Sequence, residues 1–317
     1  MNNNNSRENM ILGLRVLAAG TLMAGTSAFA SGSFLTPYSA GNPASASMTQ
    51  SNLAQQRLID MLIKTAPHAA AGPCEWFQDP SVFAEYGYNK TDDGRPSGFD
   101  TDVNGGTIGL NFLTKCDVAA GVMFNYGSTN GDAYMGVPGN YTSNDADNFG
   151  VTLSAAKSFD WFFMGLSAGY DYSDADMVTP IGTRINTEAD SYTVAPFIGA
   201  MYVKGNFSFS TAPTLVMRWQ DFNNTTNSSD VTFGLMNTAS YKFTEEFSVS
   251  VMGNWNCVVD EDLSVGGVKA DHNWYSVGTK LSYRLTDKFT TYASYMIDLD
   301  SSTYDNQRVT AGLSLDF

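Results

Sequence analysis

From Ser81 to Phe317 the chain repeats one pattern, in which apolar and small or polar positions alternate for about a dozen residues before turn chemistry intervenes. Val82, Ala84, Tyr86 and Tyr88 alternate with Phe83, Glu85, Gly87 and Asn89. Val118, Ala120, Val122, Phe124 and Tyr126 alternate with Ala119, Gly121, Met123, Asn125 and Gly127. Val231, Phe233, Leu235, Asn237, Ala239, Tyr241 and Phe243 face away from Thr232, Gly234, Met236, Thr238, Ser240 and Lys242. Side chains of a strand point to opposite faces with period two, so each segment has one apolar or aromatic face and one small or polar face.

The pattern predicts twelve strands, near 81–90, 102–113, 117–127, 146–157, 160–173, 189–203, 206–221, 230–243, 246–258, 272–285, 288–299 and 306–317. Connections alternate in length. TKCD, SFD, KGN, TEE and TDK are tight turns, and longer loops lie near 91–101, 128–145, 174–188, 222–229, 259–271 and 300–305. Sandwich strands average about 5–6 residues, and these are much longer. A tilted strand needs about 9–11 residues to cross a bilayer. Short turns on one side and long loops on the other then give an all-β, twelve-stranded antiparallel transmembrane β-barrel. Tyr126, Tyr172, Tyr202, Trp219 and Tyr283 are placed for aromatic girdles at the two interfaces.

Ahead of the strands, residues 48–66 change period. Leu58, Met61, Leu62 and Thr65 follow helical spacing and Ile59 and Ile63 widen the stripe, with Ser51 as a candidate cap and Pro67 as the stop. Residues 31–79 read as a flexible lead, this short N-terminal helix and a linker, and 80–317 as the barrel. Residues 1–30 read as an export signal. Arg7 and Arg15 precede the apolar run from Val16 to Gly25, and Ala28-Phe29-Ala30 supplies a small-x-small cleavage site before Ser31.

Composition narrows the function. The 317 residues carry 17 Lys+Arg against 32 Asp+Glu, a net charge of −15. That excludes a general nucleic-acid binder, which needs basic surface to neutralise phosphates. After the first 30 positions no stretch approaches the apolar length of a spanning helix, so a helical membrane bundle is excluded. Two histidines and three scattered cysteines leave little material for a zinc or thiol enzyme, and no cofactor is expected.

Residues 103–132 (VNGGTIGLNFLTKCDVAAGVMFNYGSTNGD) and 146–176 (ADNFGVTLSAAKSFDWFFMGLSAGYDYSDAD) resemble the C-terminal β-domain of bacterial autotransporters. The likeness lies in the Gly-rich second strand, the short turn, the aromatic third strand, and the strand pair joined through a Trp-bearing turn. The ending RVTAGLSLDF matches the family's final strand, whose terminal aromatic, here Phe317, is implied to be read by the outer-membrane barrel-assembly machinery. The resemblance covers about 81–317 and implies a helix leading into a twelve-stranded barrel in the cell outer membrane, embedded in its lipid. The family's long passenger has no counterpart in the fifty residues from Ser31 to Pro80.

Three functions follow as expectations: a passive pore or structural, porin-like barrel; a translocation unit with a minimal passenger; and a surface adhesin or receptor working through its loops. With the apolar set outward, Glu85, Asn111, Asn125, Arg218, Lys242, Lys280, Arg284, Arg308 and Asp316 face the lumen. Glu85 and Arg308 fall on the first and last strands, within reach as an ion pair, and the inward cations would favour anions at a constriction. Acidic residues gather in the expected loops: Asp92, Asp93, Asp132, Asp145, Asp174, Asp176, Asp260, Glu261, Asp262, Asp298, Asp300 and Asp305. They read as solvated tips or as sites for divalent cations. Cys74 and Cys116 are disulfide candidates on the short-turn side, and Cys257 is expected unpaired. His272 beside Asp271 is the sole general-base candidate, and an exposed histidine near a loop reads as inert, so no enzyme is expected.

Overall fold

A sheet inside a bilayer has no water to satisfy its edges, so a spanning sheet has to close on itself. The computed structural model describes residues 43–65, 78–92, 99–114, 117–134, 141–178, 184–223, 227–262, 273–299 and 305–317, and it closes. Twelve strands form one barrel: β1 (Gln78–Asp92), β2 (Phe99–Leu113), β3 (Val118–Tyr134), β4 (Tyr141–Phe159), β5 (Phe162–Val178), β6 (Arg184–Lys204), β7 (Phe207–Phe222), β8 (Ser228–Lys242), β9 (Phe247–Asp262), β10 (Asn273–Arg284), β11 (Phe289–Leu299) and β12 (Asp305–Asp316). Each pairs antiparallel with the next, and β12 returns to β1 in an unbroken register from Ser81 opposite Asp316 to Asp92 opposite Asp305. The Phe317 N–H donates to the Pro80 carbonyl at 3.0 Å, carrying the closing ladder to the last residue.

The strand number agrees with the sequence pattern, but the strands run further at the long-loop end. β3 continues to Tyr134 and β4 begins at Tyr141, where the alternation had predicted a loop from 128 to 145. These ends are rich in Asp, Asn, Ser and Gly. A hydrogen-bonded ladder needs only backbone pairing, so the barrel continues as a polar hairpin beyond the apolar band. Most of the supposed loop carboxylates therefore sit on paired strands: Asp92, Asp132, Asp145, Asp174, Asp176, Asp260, Glu261, Asp262, Asp298 and Asp305. Asp93 and Asp300 lie outside the described residues.

At the other end the turns are tight. Asp160-Trp161 joins β4 to β5 and Gly205-Asn206 joins β6 to β7, with left-handed φ of 67° at Asp160 and 58° at Gly205. Asp and Gly reach that conformation at least cost. In the β8–β9 turn the Thr244 hydroxyl donates to Glu246 Oε2 at 2.8 Å, which holds that carboxyl below its ordinary value.

Outward faces are apolar. Trp161, Phe243, Leu153, Phe124 and Val251 are exposed. Along β6, Tyr192 and Tyr202 point outward ten residues apart, a separation of about 33 Å of strand or about 25 Å along the normal of a barrel tilted about 40°. That is the height of an apolar belt. Above it, tyrosine hydroxyls donate to carboxylates one strand over: Tyr126 to Asp147 at 3.0 Å and Tyr170 to Asp190 at 2.5 Å.

Helix α1 (Pro43–Thr65) runs through the barrel. It starts earlier than its periodicity predicts, with Pro43 at the first helical position, where the missing N–H costs nothing. Ser51 is therefore no cap. It is a buried residue in the helix interior. Among the described residues no helix is long and apolar enough to cross a membrane.

Candidate functional site

The lumen is built by α1 and the inward faces of the strands. Leu58, Ile59 and Leu62 are fully buried in a collar of Leu113, Ala119, Ala156, Phe163, Phe197, Met201, Ala212 and Met236. Most collar residues lie near the short turns, so the C-terminal part of α1 sits at that end and its N-terminus points towards the long loops. One turn further from the collar, Ala54 packs with Phe83 and Met123.

Inward aromatics are seated on glycines of the neighbouring strand. Phe83 lies opposite Gly109, Phe163 opposite Gly199, Phe197 opposite Gly165 and Tyr292 opposite Gly312. A Cβ on Gly109 or Gly312 would collide with the facing ring. The missing side chains let the rings lie flat against the wall and leave the axis for the helix.

The polar side of α1 reaches across to the remaining wall. The Arg57 guanidinium donates to Glu85 Oε2 at 2.5 Å and to the Tyr292 hydroxyl, which itself donates to Glu85 Oε2 at 2.7 Å. The same guanidinium lies over the Phe83 ring at 4.4 Å and over the Tyr292 ring at 4.6 Å. Lys280 Nζ donates to Asp60 Oδ2 at 3.2 Å, and Gln56 Nε2 donates to Asp60 Oδ1 at 2.7 Å. Gln55 donates to Thr214 Oγ1 at 2.9 Å, and Gln56 Oε1 accepts from the Thr238 hydroxyl at 2.9 Å. Apart from the Gln56–Asp60 bond within the helix, these bonds join α1 to β1, β7, β8, β10 and β11, which fixes rotation and depth together.

Arg57, Asp60, Gln55 and Gln56 escaped the sequence reading, because polar residues on an amphipathic helix ordinarily mark its solvent face. Only the enclosure by the barrel turns that face into a contact surface. The alternation did place Tyr292, Asp230 and Asp298 on strands, but strand periodicity does not give a partner.

With this geometry established, residues 81–225 match the family model of the autotransporter beta-domain. Over these residues the barrel resembles the autotransporter type. The translocator domain of NalP from Neisseria meningitidis superposes with a TM-score of 0.63 at 11% identity, covering 84% of this chain and 98% of that one. The transport unit of AIDA-I from Escherichia coli gives 0.59 at 14%, covering 83% and 98%. An outer-membrane channel from Pseudomonas putida F1 gives 0.53 at 11%, covering 78% and 100%. Identities this low speak for the shared fold. No curated protein matches the sequence.

Within this barrel the expected lumen charges separate into groups. Glu85 is buried, but its ion-pair partner is Arg57, not Arg308. Glu85 faces Gly312 across β1–β12, whereas Arg308 faces Asn89, four register positions away. Arg308 instead lies against Met296, its Nη1 3.6 Å from Sδ. Arg218 is buried and pairs with Asp230 directly across β7–β8, Nε to Oδ2 at 2.5 Å, so it is neutralised within the wall. Lys280 is committed to Asp60. Lys242 is exposed at the last residue of β8, and Arg284 and Asp316 sit half-buried at the same rim. Asn111 and Asn125 are buried inward.

Asp298, counted above among loop carboxylates, is buried in the lumen and accepts from Asn306 Nδ2 at 2.6 Å. Among the described residues no cluster of three or more His, Cys, Asp or Glu side chains is placed to hold a metal ion. Cys257 is a half-buried free thiol on β9. Ala28, Ala30, Ser31, Cys74, Cys116, Asp271 and His272 lie outside the described residues. The closed barrel and the family match together point to an outer-membrane β-barrel protein.

Proposed function

We propose that the chain is a porin-like outer-membrane barrel whose lumen is closed at rest by its own helix. The observation that carries this is the anchoring of α1 by the buried Arg57–Glu85–Tyr292 contact on one side and the apolar collar on the other. A helix is about 10 Å across with its side chains, and a barrel of this size has little width to spare beside it. The matching of ring to glycine and of cation to carboxylate is what a resident helix requires. The experiment is planar-bilayer conductance of refolded protein beside a variant lacking residues 43–65. Large, steady steps in the deletion variant with small or absent steps in the full chain support the reading, and equal conductance in both overturns it.

A second reading is supported by the direction of α1. With its C-terminal part at the short turns and its N-terminus towards the long loops, chain preceding Pro43 would emerge on the long-loop side, as a translocation unit needs. An epitope inserted ahead of Pro43 should then be digested by protease added to intact cells. Protection of the epitope in a correctly folded barrel argues against it.

A further inference from the structure

We infer that the lumen beside α1 is a binding site for a small neutral polyol, a ligand of about the size of glycerol. The inference rests on the reading of α1 as resident in the lumen, and not on whether the barrel conducts. The helix packs against β2 to β8. Between it and the far wall, formed by β8 to β12 and β1, is a cavity of about 100 Å³. Charge there is already balanced. Of the cations in the lining, Arg57 has Glu85, Lys280 has Asp60, and Arg308 interacts with Asp298. A charged ligand would leave one buried charge without a counterpart, which is costly, so the ligand carries none.

Hydrogen bonding selects the occupant. Asn254 and Asn256 are successive inward residues of β9, 8% and 1% exposed, and the Oδ1 of each is buried without a partner. Asn52 Oδ1 on α1 and Glu85 Oε1 on β1 stand in the same lining, also without a donor. Arg57 Nε is a buried donor without an acceptor. Buried polar groups in native proteins are nearly all hydrogen-bonded, so this lining fits an occupant that supplies several donors and at least one acceptor. A hydroxyl is both. It also serves an asparagine amide in either orientation, donating to the oxygen or accepting from the nitrogen. A carboxylate only accepts and an ammonium only donates, so neither meets this set.

The carbon skeleton has its place as well. Across the ladder Asn256 faces Trp274 and Asn254 faces Ser276, and Met252 and Met296 continue the lining. The indole and the two thioethers give C–H groups an apolar, adaptable surface beside the acceptors. The volume is about two thirds of the ~150 Å³ cavity that accommodates benzene, which sets the ligand at three or four carbons.

The test is saturation-transfer difference NMR of the full refolded chain, titrated with glycerol in an amine-oxide detergent whose head group has no hydroxyl. Comparators are 1-propanol, sodium glycerate and 3-amino-1,2-propanediol, which remove hydroxyls or add a charge, and empty micelles. A saturable glycerol signal is expected, displaced by erythritol, with each comparator at least fivefold weaker. The double variant Asn254→Leu with Asn256→Leu should weaken glycerol at least tenfold. Without glycerol it should keep or raise the temperature at which heat-modifiable gel mobility is lost, because it removes two unpartnered acceptors. A merely structural role for the two amides would lower that temperature and leave glycerol binding intact. Ser294→Phe, which fills the cavity, should abolish the signal in a folded barrel. The inference is overturned by a wild type without saturable signal, whose cavity then holds water only, by equal binding of 1-propanol or glycerate, or by undiminished binding to the folded double variant. Failure of the α1 reading looks different. The variant lacking residues 43–65 would then conduct like the full chain and bind glycerol equally, whereas failure of the site alone leaves the difference in conductance in place.

Discussion

Arg57 on the lumen helix and Glu85 on the first strand form a buried ion pair, with the Arg57 and Glu85 side chains 11% and 2% exposed, and the Tyr292 hydroxyl donates to the same carboxylate oxygen. The pair ties the helix to the seam where β1 meets β12. It therefore joins helix docking to the closure of the barrel.

Removing one partner of such a pair leaves a buried charge, at a cost of about 3–5 kcal/mol. Arg57→Ala should lower the temperature at which the folded gel band converts to the unfolded one and raise bilayer conductance. The double variant Arg57→Met with Glu85→Met, which removes both charges, should recover most of the loss. Equal midpoints for Arg57→Ala and wild type would show that the pair does not hold the helix.

Asp60 and Lys280 form the comparable pair one helical turn on, but their side chains are 36% and 18% exposed. Solvent screening reduces a pair of this kind to about 0–1 kcal/mol. A double-mutant cycle with Asp60→Asn and Lys280→Gln should return a coupling energy well below that of Arg57 and Glu85. A larger coupling would reverse the assigned order of the two anchors.

Two inward- and outward-facing glycines should respond differently to the same change. A Cβ at Gly312 collides with the Tyr292 ring, whereas one at Gly253 meets nothing within 4 Å. Overpacking costs about 1–3 kcal/mol, and filling a free strand position gains up to about 1 kcal/mol by restricting the unfolded chain. Gly312→Ala should destabilise the folded band and Gly253→Ala should leave it unchanged or raise its midpoint.

The apolar collar supplies the other half of the helix anchorage. Leu62 is fully buried in it, and truncating a buried leucine costs about 2–5 kcal/mol. Leu62→Ala should speed amide hydrogen exchange in α1 while the strand ladders remain protected. Uniform acceleration over the whole barrel would mean that helix and barrel unfold as one unit.

Leu153 faces outward, 59% exposed, between Phe149 and Phe159 on β4. At mid-membrane depth a lipid-facing arginine costs about 2–4 kcal/mol. Leu153→Arg should lower refolding yield into bilayers far more than Thr232→Ser, a small inward change. Equal yields would place this face away from lipid.

Much of the barrel was legible along the chain. Period-two alternation was enough to count the strands and to separate Val309, Ala311 and Leu313 from Thr310 and Gly312, because a pleated strand leaves no other choice of face. The helix was legible in Leu58, Met61 and Leu62. The strand ends at the long-loop side were not, since Asp132 or Asp145 reads as loop whenever apolar alternation stops, although backbone pairing continues. Nor was the partner of Glu85. Sequence proximity on the closing seam suggested Arg308, while the observed partner comes from a helix whose position inside the barrel no local pattern encodes.

The sequence by itself determined the periodicity, and with it the closed antiparallel sheet, the outward apolar belt and the amphipathic helix, because these depend on neighbours along one element. The tertiary structure alone decided where the helix lies, that Arg57 meets Glu85 rather than water, and that Arg218 is neutralised by Asp230. Those contacts depend on register around a closed circumference and on the depth of the helix within it. Both are set by the packing of rings against glycines and of Leu58, Ile59 and Leu62 into the collar, distances that exist only once the barrel is shut.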